Sequence, residues 1–549
     1  MHLVTLDYIL LLAYLLLMAG IGLFFGWFIK DVGSYLKGGN TIPWAVSGIS
    51  NFMSMFSTFV FVAYAGVAYE HGLIAIVVFW STVPACLVAG KVFAARWRRA
   101  QLTTPIEYLE KRYSVAVRQM YSWLGLLKRF LDNAVRLYAS GLFLATVTPM
   151  SITEAIVISG AMITVFTMIG GLWAVTVMDT IQFIVLLFAT LILLPLSLVE
   201  VGGISAIAAR EPELLNWFNG PKGAPLWLIV YYLMITLKYN ENWAFVQRLY
   251  SVRDEGAAKK VAYCSAFLFV VTPAIFLLPA VAARVLIPDL GDAEQSYVAL
   301  CSLLLPAGMM GLMIASMFSA TMSALNSEFN VMAGVLTNDV FKRFVAPASD
   351  DRALFLFARF ATIAVGVLIT LGAIFVGTFG GAFEANKIFT GILAIPLAVP
   401  MLLGLLMRRA NAAAAFLVVI GGASVSLLLN LNGWFAWEVS TLITIVLCVG
   451  LYLVCDRITQ RRAAEVDRFF ETIETPLSEE SIPRIDAGFR KALYKLFGLS
   501  LVVAGAFFVL VSVFSIRELS GQLALTSGLL CGAGGAWAIW RSGKTAKPS

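Results

Sequence analysis

The sequence alternates long apolar runs with short polar loops along its whole length. Each run holds about 20 residues, enough for a helix to cross ~30 Å of hydrocarbon. By that length criterion we count about fifteen runs: one near 6–28, ten between 42 and 407, two near 411–430 and 436–455, and two near 494–516 and 523–540. The pattern predicts an all-α protein that crosses a membrane many times.

The same pattern divides the chain into consecutive parts. These are an extra N-terminal span, a ten-span core, two accessory spans, a polar linker, and two C-terminal spans with a tail, at 1–30, 42–407, 408–455, 456–493 and 494–549. The linker is charged and amphipathic, and we expect it to lie in the cytoplasm. The first span begins near Asp7 without a cationic stretch before it, which favours a retained helix over a signal peptide.

Two spans of the core are interrupted by polar residues. The second span of the chain carries NFMSMFST at 51–58, and the seventh carries TLKYNENW at 236–243. They occupy corresponding places in two halves of five spans. Breaks at matching positions of two inverted repeats indicate a binding site at mid-membrane, because unwound backbone offers carbonyls and helix ends to a ligand. The alternative is a pair of kinked helices whose Ser and Asn side chains bond only to backbone.

The most polar of the apolar runs reads SATMSALNSEFNVMAGVLTND, from Ser319 to Asp339. We call the helix that contains it the hydroxyl helix. Hydroxyl and amide groups are costly in hydrocarbon unless they pair or line a path for something polar. The run therefore indicates a route for a solute or an ion, and we interpret the chain first as a transporter.

Composition and charge agree with this interpretation. The residues AVILMFWYC make up 60% of the chain, and the mean hydropathy is +0.88. The net charge of +7 comes from Lys and Arg clusters in alternate loops, at 91–112, 248–260, 342–343, 408–409, 461–462 and 541–547. This asymmetry predicts a cell (cytoplasmic) membrane protein with the N-terminus outside and the C-terminus in the cytoplasm. It argues against nucleic acid as a partner.

Cysteine and histidine offer no catalytic chemistry. The six cysteines lie in or beside apolar runs without CxxC spacing, and the histidines are His2 and His71. These features favour buried structural thiols and argue against a His-based active site or a metal cluster. We expect no enzyme activity and no metal other than sodium.

Several short motifs, taken together, resemble the solute:sodium symporter family. In chain order they are GNTIPW at 39–44, STF at 57–59, TPIEYLEKRY at 104–113, GGLWAVTVMDTIQ at 170–182, VQR at 246–248, FTG at 389–391 and Asn338-Asp339 at the end of the hydroxyl run. They cover about 35–410 in the order and spacing of the family. The resemblance implies the LeuT-type fold of two inverted five-helix repeats and sodium-coupled transport.

The resemblance also implies a sodium site between the first interrupted helix and the hydroxyl helix. Its oxygen ligands fall here on the carbonyls of Met53, Phe56 and Ala320 and on a pair of hydroxyls, of which Ser323 is one. The second position is Ala324, so one hydroxyl is missing. Because a hard cation needs several oxygens to replace its hydration shell, we expect a weakened sodium site.

Three explanations of Ala324 stay open. Thr321, Ser327 or a water fills the gap and sodium still couples; a carboxylate has taken over, with protons or a second sodium; or the chain is an uncoupled transporter or a sensor. In relatives, the residue that corresponds to Asp179 faces the hydroxyl helix. The resemblance therefore makes Asp179 the candidate for ion coupling, and Asn326 is a further candidate. The plainer interpretation of Asp179 is a residue that bonds a helix end.

Candidates for the solute site come from the resemblance and from the cost of burying charge. The contacts of sugar-transporting relatives fall on Met55, Phe59 and Val60, which are apolar, so we expect no hexose site. Polar and ionisable groups inside spans usually have a function or pair with one another. Beside Phe59 and Val60, the candidates are Asp132, Lys238, Glu241, Asn242, Glu384 and Lys387.

Plainer interpretations exist for the charged candidates. Lys238 and Glu241 are three residues apart and suit an ion pair within one helix. Asp132 suits a salt-bridge ladder with its helix neighbours Lys128, Arg129 and Arg136. A cluster of both signs at a solute site would instead suit a zwitterion, a carboxylate or another charged metabolite.

The main hypothesis is a secondary active transporter that moves a small polar or charged organic solute with sodium by alternating access. The expected partners are this solute and the lipid bilayer, and the expected state is a monomer or a weak homo-oligomer. The second hypothesis is a transport-like sensor that has lost sodium coupling.

Overall fold

The computed structural model describes residues 4–28, 32–220, 224–306, 308–379, 390–459, 464–483 and 487–544. Throughout these ranges the regular structure is helical, without a β-strand. In lipid, the backbone N–H groups of an apolar run have no water to bond with. Each run therefore forms a helix, in which these N–H groups bond to carbonyls of the same run. The all-α prediction is confirmed.

Ten helices of the described chain are long and apolar enough to cross a membrane, or up to eleven if the bent pair Trp44–Met55 and Val60–His71 is one span. The ten are Thr5–Phe24, Ile74–Arg99, Gly171–Val201, Glu255–Leu286, Met309–Val345, Asp351–Thr378, Ala412–Asn432, Trp437–Ile458, Arg490–Ser515 and Leu519–Lys544.

Further helices occupy the remaining predicted spans, at Val115–Val147, Ile152–Met168, Ala224–Glu241 and Ile392–Leu403. These helices are shorter or less apolar than the ten. The count of fifteen spans therefore stays a prediction.

Both predicted breaks are present. The first broken helix consists of Trp44–Met55 and Val60–His71, which are bent by 62°. The second consists of Ala224–Glu241 and Trp243–Tyr250. Its break falls at Asn242, whose backbone is extended and whose side-chain oxygen accepts a hydrogen bond from Phe245 N. An asparagine that caps the second half stabilises a new helix start in mid-span.

Gly171 sets where the helix that carries Asp179 begins. The hydrogen-bonded segment Ile152–Val201 changes direction at this residue, whose φ is +52°. A Cβ at this position would lie 2.6 Å from the ring of Tyr35. Positive φ and so close an approach both require glycine.

The hydroxyl helix, Met309–Val345, lies at the centre of the bundle, with its most apolar window entirely buried. It packs against the first broken helix, Val115–Val147, Gly171–Val201 and Asp351–Phe375. Its polar side chains therefore face protein, which is the only place where they avoid the cost of lipid exposure.

The linker contributes one packed helix, Ala464–Glu474, which we call the linker helix. It buries Val466, Phe469, Phe470 and Ile473, and Phe469 stacks on Tyr108 with 5.7 Å between ring centroids. We call the face of the bundle that carries these contacts the inner face, since its basic loops predict a cytoplasmic location.

At the inner face, Glu110 joins a loop to the hydroxyl helix. Its Oε2 accepts hydrogen bonds from Arg343 Nη1 at 2.6 Å and Arg118 Nη1 at 2.8 Å, and Arg118 also pairs with Asp339. Partial burial acts to raise the pKa of Glu110, but the hydrogen bonds and charges of Arg343 and Arg118 lower this pKa overall.

Replacing Glu110 by glutamine is expected to lower the free energy of unfolding by about 1 kcal/mol at neutral pH, a modest value because the pairs are partly exposed. The folded pKa is depressed, so this stabilisation is present above the ordinary glutamate pKa of ~4.3 and is lost as the pH falls through the folded value. Melting temperatures of wild type and Glu110→Gln in detergent should therefore converge in acid. Glu479→Gln, at an exposed position, is the control, and a gap that does not narrow in acid contradicts the assignment.

Candidate ion and solute sites

A cavity lies between the two broken helices and the helix Val115–Val147. It brings together four of the predicted solute-site residues, which are Phe59, Val60, Asp132 and Lys238. Met55 and Arg136 line it as well. Residues from three helices that are distant in sequence thus converge where the breaks occur, which is the place expected for a ligand in an inverted-repeat fold.

The cavity holds charges of both signs. The Asp132 carboxylate interacts electrostatically with Lys238, Lys128 and Arg136. Its Oδ2 lies 4.0 Å from Lys128 Nζ. Its Oδ1 is buried without a hydrogen-bond partner among the described residues. Arg136 Nη1 donates to the carbonyl of Ser54 at 3.4 Å, so this cavity residue also contacts the first broken helix.

Glu241 belongs to a buried ion cluster next to the cavity and does not line it. Its Oε2 lies 2.5 Å from Lys128 Nζ, and its Oε1 lies 3.2 Å from Arg129 Nη2. Arg129 Nη1 also lies 3.4 Å from Glu328 Oε2, and Glu328 Oε1 accepts a hydrogen bond from Asn242 Nδ2 at 2.9 Å. The cluster fixes the break of the second broken helix to its neighbours.

The predicted sodium-site residues are buried, and the break after Met55 contacts the helix that carries Ala320 and Ser323. The first broken helix ends at Met55, and Phe56 is extended, with its N–H donated to Met53 O at 3.1 Å. Across from this break, Thr321 Oγ1 accepts a hydrogen bond from Thr58 N at 2.9 Å. Ala320, on the same helix as Thr321, is fully buried. The contact between Thr58 and Thr321 fastens the break to the hydroxyl helix.

Asp179, on the helix Gly171–Val201, contacts the first half of the first broken helix. Its Oδ2 accepts a hydrogen bond from Ser50 Oγ at 2.5 Å and lies 3.7 Å from Arg248 Nη2. The Ser323 hydroxyl is close enough to interact with the carboxylate but does not complete a hydrogen bond of ordinary geometry. The carboxylate thus bonds to the first broken helix and lies next to Ser323 of the hydroxyl helix.

The other candidates on the hydroxyl helix have different surroundings. Ser327 Oγ accepts a hydrogen bond from Arg248 Nη2 at 2.5 Å and donates one to Ser323 O at 2.9 Å. Asn326 Oδ1 accepts from Thr167 Oγ1 at 2.5 Å, on the helix that precedes Gly171. Asn326 therefore faces a different helix from the sodium ligands.

Two predicted solute-site residues, Glu384 and Lys387, lie outside the described residues. Two residues that matter were not singled out from the sequence, Arg248 and Glu328. Both are fully or almost fully buried, with relative exposures of 0% and 2%. For Glu328 the signal was an ionisable side chain inside a span, the same signal that pointed to Lys238. Arg248 was assigned to a basic loop, whereas the structure places it in the buried helix Trp243–Tyr250.

Two discontinuous helices that share a charged cavity, fastened to a buried polar helix, define a secondary transporter of the inverted-repeat class. Comparison with known proteins identifies the family within this class. The model of the Sodium:solute symporter family matches residues 35–422, which is more than half of the chain. The chain belongs to the sodium:solute symporter family, and its activity is sodium-coupled symport.

Individual relatives are more distant. The chain is 24% identical over 470 residues to the sodium/glucose cotransporter of Vibrio parahaemolyticus, covering 77% of this chain and 85% of that one. It is 26% identical over 479 residues to the sodium/sialic acid symporter NanT of Aliivibrio fischeri, covering 80% and 92%. A Na+-coupled sialic acid symporter, solved in its substrate-bound outward-open state, has the same fold, with a TM-score of 0.75, 22% identity and coverage of 84% and 99%.

Proposed function

We propose that this protein moves a small polar or charged organic solute through the cell membrane together with sodium, and that the cavity beside Asp132 and Lys238 is the solute site. One observation carries the assignment. Ser54 and Thr58, on either side of the first break, hydrogen-bond to Ser327 and Thr321 of the hydroxyl helix, while Phe59 and Val60, just past the break, line the cavity. One unwound segment therefore serves both ligands.

Sodium in this proposal is held by the carbonyls of Met53, Phe56 and Ala320 and by the hydroxyl of Ser323. Carbonyl and hydroxyl oxygens are the ligands that a hard cation takes. Ala324 adds none, so the site is one oxygen short of the family pattern. Asp179 supplies negative charge next to Ser323 and is the candidate for a second ion position.

Coupling follows from the shared segment. Sodium between Met53 and Ala320 would hold the first broken helix against the hydroxyl helix, in the conformation where Phe59 and Arg136 form the cavity. A solute that binds the cavity favours the same conformation, so each ligand raises the affinity for the other. Alternating access then moves both ligands, because the protein changes between its outward-open and inward-open conformations more easily with both ligands bound, or with none, than with one ligand alone.

The proposal also includes an orientation and an assembly state. The N-terminus is outside, and the inner face with the linker helix is cytoplasmic, as the basic loops indicate. The protein functions as a monomer or a weak homo-oligomer.

The test is uptake into proteoliposomes from a panel of solutes, with and without an inward sodium gradient. Uptake of some solute that appears only with the sodium gradient is the expected result. Uptake driven by a pH gradient but not by sodium would replace sodium with protons as the coupling ion. Binding of a solute without uptake under any gradient would contradict transport and favour a sensor.

Replacing Ala324 by serine is expected to tighten sodium binding. The position is buried beside Ser323, and a hydroxyl there restores the missing oxygen. A hydrogen-bonding group that contacts a charge contributes about 1–3 kcal/mol, or roughly five- to a hundred-fold in affinity. Sodium titration of uptake, or of melting temperature in detergent, measures the shift.

The matched control for this change is Ala333→Ser, a second fully buried alanine of the hydroxyl helix that lies outside the proposed ion site. It is expected to leave the sodium titration unchanged. Equal sodium affinities in wild type and Ala324→Ser would show that position 324 does not face the ion.

A further inference from the structure

We propose that the linker helix, Ala464–Glu474, is a clamp on the inner face. It holds two groups of helices together there, and one set of its contacts breaks when the protein opens toward the cytoplasm. This inference rests on the proposed function, since it takes the protein to be an alternating-access transporter whose inner face is cytoplasmic. It goes further by giving a role to a segment outside the residues that the family model matches, 35–422.

The core helices form two groups by their packing. In the first group, Glu255–Leu286 packs against both halves of the first broken helix, against Ile74–Arg99 and against Trp243–Tyr250. In the second group, Ile152–Val201 packs against Val115–Val147, the hydroxyl helix and Asp351–Phe375. We call these the first and the second helix group. In an inverted-repeat transporter, alternating access is largely the rocking of one such group against the other.

The two groups are closed against each other at the inner face. All eight residues of Trp243–Tyr250, the inner half of the second broken helix, are buried. In this half, Gln247 Nε2 donates hydrogen bonds to Asn330 Oδ1 of the hydroxyl helix at 3.1 Å and to Leu36 O at 2.6 Å. A ligand leaves toward the cytoplasm only after this half is uncovered, so the groups have to separate here.

At the inner face, each group is fastened within itself. In the first group, Arg98 Nε donates to Val252 O at 2.6 Å, which ties one helix end to the loop after the second broken helix. In the second group, the short helix Tyr108–Arg112 packs against the helix that follows it in the chain. Its Arg112 Nε donates to Gly404 O at 2.9 Å, at the end of the last core span. Each inner end therefore moves with its own group.

The linker helix contacts the second group through aromatic rings. Phe469 stacks on Tyr108, and Phe470 is 1% exposed. The guanidinium carbons of Arg408 and Arg112 lie 4.8 and 5.8 Å from the centroid of the Phe470 ring. Buried rings and cations above them make a contact that water does not replace.

The contacts with the first group are polar. Arg99 Nη1 donates to the carbonyls of Glu474 at 2.9 Å and Ile473 at 3.3 Å, where a cation suits the end of the linker helix. Glu255 Oε1 accepts hydrogen bonds from Leu477 N at 2.8 Å and from Arg99 Nε at 3.0 Å. Arg99 and Glu255 stand at the inner ends of two helices of the first group, so the linker joins both groups.

The linker helix cannot keep both sets of contacts when the groups separate. Hydrogen bonds of this length are lost once their atoms move apart by an ångström or so, that is, beyond about 3.5 Å. Water replaces the bonds of Arg99 and Glu255 at a small net cost, whereas release of Phe469 and Phe470 exposes apolar surface. The contacts with the first group are therefore the ones that open, and the linker helix stays on the second group.

The clamp and sodium act on the same equilibrium. The proposed sodium site lies between the first broken helix, in the first group, and the hydroxyl helix, in the second. Sodium at this site holds together the same two groups that the linker helix joins. Loss of the clamp therefore shifts the protein toward its inward-open state and lowers its apparent affinity for sodium.

The experiment measures how often the inner face opens and requires no solute. In the full-length protein in detergent, Ala244→Cys places a thiol in the buried half Trp243–Tyr250. Its reaction with N-ethylmaleimide is followed by peptide mass spectrometry, first without and then with sodium. Ala358→Cys, a buried position of the second group, reports general loosening. Sodium is expected to slow the reaction at Ala244→Cys.

Arg99→Gln removes the polar contacts of the clamp. It is expected to speed the reaction at Ala244→Cys about tenfold without sodium, the effect of a charge-assisted contact, and to leave the reaction at Ala358→Cys unchanged. Arg253→Gln is the matched control, since Arg253 is largely exposed and pairs with Asp254 at the same face. Equal rates in Arg99→Gln and the native background, or an equal gain at both reporters, would overturn the clamp.

A crosslink tests the opposite direction. Glu255→Cys with Leu477→Cys is joined by a short bifunctional methanethiosulfonate while sodium is present, which fixes the linker to the first group. Joining is expected to slow the later reaction at Ala244→Cys at least about tenfold, relative to the same protein before joining. Arg408→Cys with Glu474→Cys fixes the linker helix to the second group, and its joining should leave the rate unchanged.

The outcomes separate the clamp from the proposed function. If joining the first pair does not slow the reaction, or joining the second pair slows it as much, the polar contacts are not those that open, and the clamp is overturned. A reaction at Ala244→Cys that ignores sodium contradicts the proposed ion site, while the effects of Arg99→Gln and of the crosslinks still decide the clamp. A rate that falls with sodium, rises in Arg99→Gln and falls when the first pair is joined supports both.

Discussion

Replacing Glu241 by glutamine is expected to cost about 3–5 kcal/mol of stability, the usual effect of removing one partner from a buried ion pair. Glu241 is 1% exposed and accepts contacts from both Lys128 and Arg129. Without its charge, Lys128 keeps, among the described residues, the carboxylate of Asp132 at 4.0 Å to offset burial. The melting temperature in detergent should fall well below that of wild type.

A second change separates lost pairing from lost packing. The double variant Glu241→Gln with Lys128→Gln restores the charge balance of the cluster and should recover much of the loss, because a pair removed as a whole costs far less than one partner removed alone. Glu213→Gln, at an exposed position of the short helix Pro212–Leu215, is the control for the chemical change itself. If Glu241→Gln is as stable as wild type, Glu241 does not form a charged, buried ion pair. If the double variant recovers no stability, the loss comes from changed packing and not from the unpaired charge.

The fold was accessible from the sequence because its determinants are local. A run of apolar residues has no alternative to a helix in lipid, and a polar segment inside such a run marks a place where the helix stops. Asn242 illustrates this: it interrupts an apolar run and caps the next helix in the structure. The order of these signals along the chain was sufficient to predict two halves with matching breaks.

The pairing of charges was not accessible, because it depends on contacts between distant parts of the chain. Glu241 has Lys238 three residues before it, and local spacing alone predicts a pair between them. The helix ends at Glu241, and its carboxylate pairs instead with Lys128 and Arg129, more than a hundred residues away. Such contacts follow from how the helices pack, and spacing along one helix does not report them.

The same limit applies to the candidates on the hydroxyl helix. A helix presents a new face about every residue, so a run of Ser, Thr and Asn shows that polar contacts exist but not which neighbour each one meets. Asn326 and Ser327 are adjacent in sequence, yet Asn326 bonds to Thr167 and Ser327 to Arg248. The sequence predicted the helix as a site, and only the structure assigned each side chain to a partner.

Replacing Asp179 by asparagine is expected to abolish the sodium dependence of uptake, or to raise the sodium concentration for half-maximal uptake by at least about tenfold. The carboxylate is fully buried, is hydrogen-bonded to Ser50 in the first broken helix, and lies next to the Ser323 hydroxyl. Its charge attracts a cation to this place, and an amide does not replace that charge. Sodium titration of uptake in proteoliposomes measures the change, with protein expression expected to stay intact.

The same substitution also leaves Arg248 with less compensation, since the two groups are 3.7 Å apart, and this alone could lower stability. Asp339→Asn is the matched control. Asp339 is likewise a fully buried aspartate that pairs with an arginine, Arg118, but it lies near the inner end of the hydroxyl helix, outside the proposed ion site. It should lower the melting temperature without changing the sodium titration.

Comparison of these two variants decides the role of Asp179. If both lose stability and both keep the wild-type response to sodium, Asp179 is a structural partner of Arg248 and the ion is held by Met53, Phe56, Ala320 and Ser323 without it. If only Asp179→Asn loses the sodium response, the carboxylate belongs to the coupling machinery. If the wild type itself responds to a pH gradient and not to sodium, and Asp179→Asn removes that response, the carboxylate carries a proton, and the alanine at position 324 marks a sodium site that this chain has given up.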